Sequence, residues 1–267
     1  IWKWKSGWKN FIYTLMTEST NGICLHYYKY SESSVIAKIF TEKYGMKSYI
    51  MKGVRKKKSK KKLNLLHSLN IVELEVSNND KRQIQYIKDI NNTNVFNYNK
   101  LDINNRFISL FISEVLLRVL VESEKSEPIY NFIMKSIFLL NNEKKVSKNF
   151  SIVFLIKLSG LLGFYPNKEN SERKFFNLDS GEFSNNPSNY YLADDNKKYF
   201  SLLLNNHEVE IPHKNRKNLI FSLQNYYDLH HYNIKNLKSY DVIESLIKWK
   251  KYLFFYLYLI VFFLIHK

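Results

Sequence analysis

The chain has 267 residues, with 41 Lys+Arg against 24 Asp+Glu and a formal net charge of +17, long enough for one large domain or two ordinary ones with a sizeable core. A single cysteine, Cys24, excludes an intramolecular disulfide framework and a cysteine-rich zinc site, and it fits a reducing cytosol. Seven glycines leave little for a phosphate-cradling loop or a nucleophile elbow, neither motif occurs, and no enzyme is expected.

Residues 1–15 carry Trp2, Trp4 and Trp8 and three lysines, and the first methionine is Met16. They lack the continuous apolar stretch of a signal peptide. We read Met16 as the natural start and 1–15 as an extension ahead of it.

Residues 22–90 read as β. Ile23–Tyr28 is a first strand containing Cys24 as a small core residue, and Ser34–Phe40 is a second, rich in β-branched and aromatic side chains. Tyr44-Gly45 turns into a third strand over 46–53, a fourth spans 68–77, and Ser77–Asp80 is a turn cluster. Arg82–Lys88 alternates polar and apolar residues as a fifth. Five short antiparallel strands suggest a small closed barrel of the OB type.

Between the third and fourth strands lies the run Lys52-Gly53-Val54-Arg55-Lys56-Lys57-Lys58-Ser59-Lys60-Lys61-Lys62, with eight cations and no acid. Such a block cannot enter a core and repels itself unless an anion lies against it. It reads as a loop displayed from a sheet, a way to present lysines to a phosphate backbone. Residues 16–90 hold 15 Lys+Arg against 7 Asp+Glu, whereas 91–247 hold 19 against 17. The β half is built to meet a polyanion, and the rest is nearly balanced.

The Asn-rich stretch 91–103 marks a linker, after which the period becomes helical up to 247. Asn104–Val121 is apolar almost all round and predicts a buried helix, on which Glu114 and Arg118 pair at i,i+4 spacing. A second helix opens at Glu127-Pro128 and reaches Leu140, and a third, Val146–Leu162, ends at Gly163. Phe175–Phe183 reads as a hairpin around Ser180-Gly181, and helices follow over 194–205, 213–231 and 239–247. The fold class is α+β, an OB barrel over 16–90 followed by an α-helical domain over 104–247.

Residues 252–265 form an apolar run of fourteen residues, short of the ~20 that span a bilayer. A packed terminal helix or a spurious extension over 248–267 is the favoured reading. A membrane-tethered basic protein, with this run as anchor and the lysines on anionic lipid, is the rival reading.

His230 and His231, with His207, His213 and Asp228 nearby in sequence, do not make a metal site. Adjacent helical side chains point about 100° apart, so these histidines are read as surface or helix-end residues. Asp194-Asp195 and Asp179 with Glu182 are explained by a helix start and a turn. In the β half Tyr27, Tyr28, Tyr30, Tyr44, Tyr49 and Tyr86 interleave with cations, a composition suited to stacking bases and neutralising phosphates. The expected nucleic-acid contacts are Lys52, Arg55, Lys56, Lys57, Lys58, Lys60, Lys61 and Lys62, with Tyr49 as the base-stacking residue. An RNA-binding OB protein remains a second rival.

The order of these segments resembles the bacterial recombination mediator family RecO, of the Bacteroidetes type. The resemblance is carried by Ser31–Ile36, Phe40–Gly45 and Lys52–Lys56, then the helix Phe107–Val121 with Glu114. Further along come Leu158-Ser159-Gly160-Leu161-Leu162-Gly163-Phe164-Tyr165-Pro166, Phe175–Phe183 and Leu237–Ile243. It implies a non-enzymatic, cytoplasmic, nucleoid-associated DNA-repair protein of the RecF pathway that binds single- and double-stranded DNA and anneals complementary strands. It further implies work with RecR in loading RecA onto strands covered by single-strand-binding protein. That protein's acidic C-terminal tail would bind the helical domain, where Arg118, Lys135, Lys157 and Arg216 are available cations. Many members carry a four-cysteine zinc motif after the Gly-Phe-x-Pro segment. This chain has no cysteine there, so no zinc or other cofactor is expected, and the hairpin around Ser180-Gly181 is expected to hold that region.

Overall fold

The structure, a computed structural model, describes residues 17–56, 59–78, 82–93, 98, 101–120, 125–142 and 146–240. Met16, residues 1–15 and the apolar run 252–265 lie outside the described residues, as do Lys57 and Lys58. No described helix is long and apolar enough to cross a membrane.

Five strands, β1 (Glu18–Lys29), β2 (Val35–Thr41), β3 (Gly45–Met51), β4 (Ile71–Ser77) and β5 (Ile84–Asn92), close into a barrel with neighbour order β1-β2-β3-β5-β4. Each predicted strand exists. One pairing departs from the all-antiparallel expectation: β3 and β5 run parallel, with Ser48 opposite Ile84 and Ile50 opposite Tyr86. A parallel neighbour needs a crossover, and here the chain between β3 and β5, which carries the basic run and β4, supplies one. β5 also runs two residues into the predicted linker, with Asn91 opposite Glu73.

The barrel interior is filled by Cys24, Val35, Ala37, Ile39, Tyr49, Val72 and Leu74, all essentially inaccessible. Burial pushes the Cys24 thiol far above its ordinary pKa, so it stays a neutral, inert core group. Gly22 sits where β1 pairs with both β2 and β4, opposite Thr41 and Val72. A Cβ there would come within 2.6 Å of Ile39 Cγ2.

The described residues of the basic run are more ordered than a plain loop. Val54, Leu66 and Leu69 are buried pegs that fasten the excursion to the core. Lys60–Asn64 forms one short helix, α1. Arg55 donates from its backbone N–H to the Ser33 carbonyl (3.1 Å) and from its guanidinium to the Ser31 carbonyl (2.6 Å), tying the run to the β1–β2 turn.

The helical half comprises α2 (Ile103–Val119), α3 (Glu127–Asn142), α4 (Phe150–Leu161), α5 (Asp194–Leu204) and α6 (His213–Leu229). Asp102 caps α2, accepting from Asn104 N at 2.7 Å and Asn105 N at 2.9 Å. α4 is shorter than predicted at its start and ends at Gly163, whose φ of +94° is open to glycine and strained for other residues. Two buried tyrosines of α6 reach backbone carbonyls: Tyr227 donates to Leu155 and Tyr226 to Phe164, both at 2.7 Å. β6 (Phe175–Asn177) and β7 (Glu182–Ser184) form the expected hairpin, and Tyr191–Leu192, unforeseen, pairs with β6 as β8. Phe176 lies 4.9 Å from Phe183 and 4.7 Å from Phe200, ring to ring. An aromatic core therefore holds the region where the resemblance would put zinc.

Barrel and helices share one core. Ile23, Leu25, Phe40 and Met46 point outward from the barrel and are buried with Phe111, Ile112, Val115 and Tyr130 of α2 and α3. The predicted Glu114–Arg118 pair forms at 3.0 Å and does more than neutralise itself. Glu114 accepts from the Ser239 amide (2.8 Å), the Ser239 hydroxyl (2.7 Å) and the Lys238 amide (3.1 Å). Arg118 donates to the carbonyls of Lys235 and Asn236. A pair predicted as self-contained is thus a clamp on the segment 235–240, whose last described residues turn helical; the remainder of the predicted 239–247 helix lies outside the described residues.

Two outcomes follow from this packing. Gly22→Ala forces a methyl against a β-branched side chain that cannot rotate away, and it should destabilise the fold by about 1–3 kcal/mol, read as a lowered thermal midpoint. Burial works to raise the Glu114 pKa, but the bonds from Ser239 and Lys238 and the charge of Arg118 outweigh it and hold the carboxyl below its ordinary value. Its contribution is therefore complete above the ordinary carboxyl pKa and is lost as pH falls through the depressed one. Glu114→Gln should be less stable than the parent by about 2 kcal/mol at neutral pH. The difference should shrink in acid, as measured by urea denaturation across pH.

Candidate nucleic-acid interface

Period-two alternation decides which barrel residues face out. Tyr27, Ala37, Tyr49 and Gln85 are cross-strand partners in one inward row. Tyr49 is 0 % exposed, so the predicted base-stacking residue is a core residue that no base can reach. The neighbouring rows point outward. His26, Lys38, Ser48 and Ile84 form one, and Tyr28, Ile36, Ile50 and Tyr86 form the next. Tyr28 is 52 % exposed, with its ring edge-on to His26 at 4.5 Å. Tyr86 carries Lys52 Nζ at 5.3 Å and Arg82 Cζ at 5.5 Å over its ring, which fixes two cations on this face.

The predicted cations divide into groups. Lys52, Lys56 and Lys61 are exposed. Arg55 is tied to Ser31. Lys62 pairs with Asp89 on β5, and its hydrogen bond holds that carboxyl below its ordinary pKa. Lys60 begins α1. Lys57 and Lys58 lie outside the described residues. The run borders the outer face, whose open rows carry Lys38; beside those rows lie Lys47, opposite Ile39 in register, and Arg82, just ahead of β5, and reading the run alone passes over all three cations. Strand alternation places Lys38 outward; Lys47 and Arg82 need the barrel closure, which no single strand encodes.

Where the open rows meet the covered end of the barrel there is a cleft of about 1040 Å³. Its barrel wall is His26, Tyr28, Lys38, Lys47, Ser48 and Arg82, and its helix wall is Leu110, Ser113, Glu114, Leu117 and Arg118. Lys238 and Ser239, held by the clamp, close one side. The Ser113 hydroxyl donates to the Leu25 carbonyl and fixes the floor. Cations, aromatic edges and apolar side chains alternate here, a lining able to receive phosphates and flat rings together.

The four cations expected to line a partner groove are not gathered at this cleft. Arg118 lines it, but its guanidinium is committed to Glu114 and two carbonyls. Arg216 donates to the Ile211 carbonyl within its own neighbourhood. Lys135 on α3 and Lys157 on α4 are exposed and line no part of it. Among the described residues no group of three His, Cys, Asp or Glu side chains is placed to hold a metal ion. His230 ends α6 and stacks on Phe164 at 4.9 Å, and Asp228 pairs with Lys235.

Comparison with known proteins accounts for both halves. Residues 16–96 match the family model for the recombination protein O N terminal region, and residues 100–241 match that for the recombination protein O C terminal region. The chain is 30 % identical over 236 residues to the DNA repair protein RecO of Flavobacterium psychrophilum, and 31 % over 243 residues to that of Azobacteroides pseudotrichonymphae. Bacteroides fragilis has a similar protein, 29 % identical over 240 residues. Each alignment covers 86 % of this chain and 99 % of the relative. With a five-stranded OB-like barrel leading into helices, and both halves matched in order, the chain belongs to the RecO family of DNA repair proteins.

Proposed function

We propose that this protein is a DNA-binding recombination mediator: it holds single strands on the outer barrel face, anneals complementary strands, and with RecR helps load RecA onto strands covered by single-strand-binding protein. The observation that carries the reading is the open pair of cross-strand rows, where Tyr28 and Tyr86 stand among Lys38, Lys52 and Arg82. Lysines and arginine there neutralise phosphates whatever the sequence, and counterion release makes that attraction the bulk of the affinity. A tyrosine face accepts any base. Lys56 and Lys61 extend the basic surface beyond the barrel edge, Lys57, Lys58 and Lys60 add to the charge of the same run, and Tyr28 takes the stacking role in place of the buried Tyr49.

The work is binding and positioning, with no covalent step, so no catalytic group is assigned. The barrel domain handles DNA, and the nearly balanced helical domain, 104–247, receives protein partners, among them the acidic tail of single-strand-binding protein. Exposed Lys135 and Lys157 suit that acidic tail better than Arg118 and Arg216, whose guanidinium groups already have backbone partners.

Annealing of complementary oligonucleotides by the purified protein tests the mechanism; no acceleration over the spontaneous rate would refute it. Replacing Lys52, Lys56 and Lys61 together by Gln should weaken binding to all sequences alike. At about 0.7 per phosphate contact on single strands, the slope of log affinity against log salt should flatten by roughly two. An unchanged slope would make the run a solvated surface only. Tyr28→Ala should cost about 1–3 kcal/mol of single-strand affinity by fluorescence titration, whereas Tyr49→Phe should leave it unchanged.

A further inference from the structure

We propose that α2 is the second wall of the single-strand site, and that the cleft between α2 and the barrel lets the protein tell an unpaired strand from a duplex. This rests on the reading of the outer barrel face as a strand-binding surface, and it goes beyond that reading by giving a face of the helical half a direct part in holding DNA.

The outer face of β1, β2 and β3 is divided. At one end Ile23, Phe40 and Met46 form a cross-strand row buried under α2 and α3. At the other end His26, Tyr28 and Ile84 are exposed and Lys38, Ser48, Ile36 and Tyr86 half-buried, with Ile50 alone of those two rows buried. A strand following the open rows therefore runs into the boundary between them, which is the cleft.

Charge and apolarity in the cleft both select the occupant. Lys38, Lys47, Arg82 and Lys238 favour an anion, and among the described lining residues Glu114 is the one acid. Its carboxylate is already compensated by Arg118 and by three donors from Lys238 and Ser239, so it adds little repulsion. Leu110 on α2 remains 37 % exposed, and Leu117 faces the same space across from Tyr28 and His26. An apolar wall opposite aromatic edges rewards a ligand with bare flat rings. Unpaired bases offer these, whereas a duplex keeps its rings inside its own stack and presents only phosphates. A duplex can therefore use the basic run and the open face but gains nothing from α2.

The chain lends itself to a direct test, because its sole cysteine is buried and a cysteine-directed photo-crosslinker will mark only an introduced thiol. Four single variants of the full chain suffice: Tyr28→Cys on the open face, Leu110→Cys and Lys238→Cys at the cleft lining on α2 and on the segment it clamps, and Phe138→Cys on α3. Phe138 is 60 % exposed and lines no part of the cleft. With oligothymidine, positions 28, 110 and 238 should crosslink and position 138 should not. With the blunt oligothymidine–oligodeoxyadenosine duplex, the 110 crosslink should be lost. Crosslinking at 28 with none at 110 and 238 overturns the cleft while leaving the barrel reading standing. No crosslink at 28 either overturns the reading beneath it. Equal yields from duplex and single strand at 110 overturn the discrimination. Suppression of the 110 signal by a polyglutamate peptide, with the 28 signal intact, would assign the cleft to an acidic protein segment instead.

Discussion

The architecture depends on one contact: the outward apolar row Ile23, Phe40 and Met46, with Leu25 beside it, buried beneath α2 and α3. A barrel strand has an inner face that must be apolar and an outer face that is normally wet. Here the outer face is apolar at one end, and leaving it in water would expose a contiguous apolar patch of the kind that drives association. Each such side chain taken fully out of water contributes about 1.5–3 kcal/mol, enough in sum to fix the angle of α2 on the barrel. The Ser113–Leu25 hydrogen bond then sets the register of helix on strand, and the Phe40–Tyr130 ring contact at 5.9 Å brings α3 into the same seam. The cleft is the geometric remainder of that seam.

Charge is arranged so that few ions lose water without a partner. The basic run keeps Lys52, Lys56, Lys61 and Lys62 outside while Val54, Leu66 and Leu69 anchor it, so a block of like charge is held against the barrel by apolar pegs at its edges. Arg55 and Lys62 are tied locally, to Ser31 and Asp89, which gives the excursion a shape before any ligand arrives. Exposed charges interact over about 8–10 Å in physiological salt. Lys52 and Arg82, gathered around one ring, therefore act as a unit on anything touching the open face. Glu114 shows the opposite arrangement, an acid within a basic cleft made harmless by satisfying the backbone of segment 235–240.

Most of the fold is legible in the sequence because it rests on local period. The five strands follow from alternation and turn residues, the buried helix from its all-round apolarity, and the hairpin from Ser180-Gly181 between Phe175-Phe176 and Phe183. Gly163 marks the end of α4 through the backbone conformation it alone adopts without strain. What escapes such a reading is non-local. The parallel closure of β5 on β3 cannot be read from either strand. The clamp from Glu114 to Ser239 spans more than a hundred residues. Tyr49 misleads for a subtler reason: its neighbours Lys47 and Lys52 make it look like part of a basic surface. Its cross-strand partners Ala37 and Gln85 put it in the inward row, and register, not neighbouring charge, decides which way a strand residue faces.

Under the proposed function this division of the outer face has a kinetic consequence for annealing. Phosphate neutralisation gives affinity without sequence preference, and it acts on single strands and duplexes alike. A protein with that contribution alone would hold its product at least as firmly as its substrate, since a duplex presents more phosphate per unit length. Stacking on Tyr28 and apolar packing against α2 add affinity only while bases are unpaired. Pairing withdraws the rings from the protein into the duplex stack, so annealing removes the very interactions that distinguished the strand in the first place. The duplex is then left on lysines whose grip weakens with salt, and release of product is built into the same rows that captured the strand.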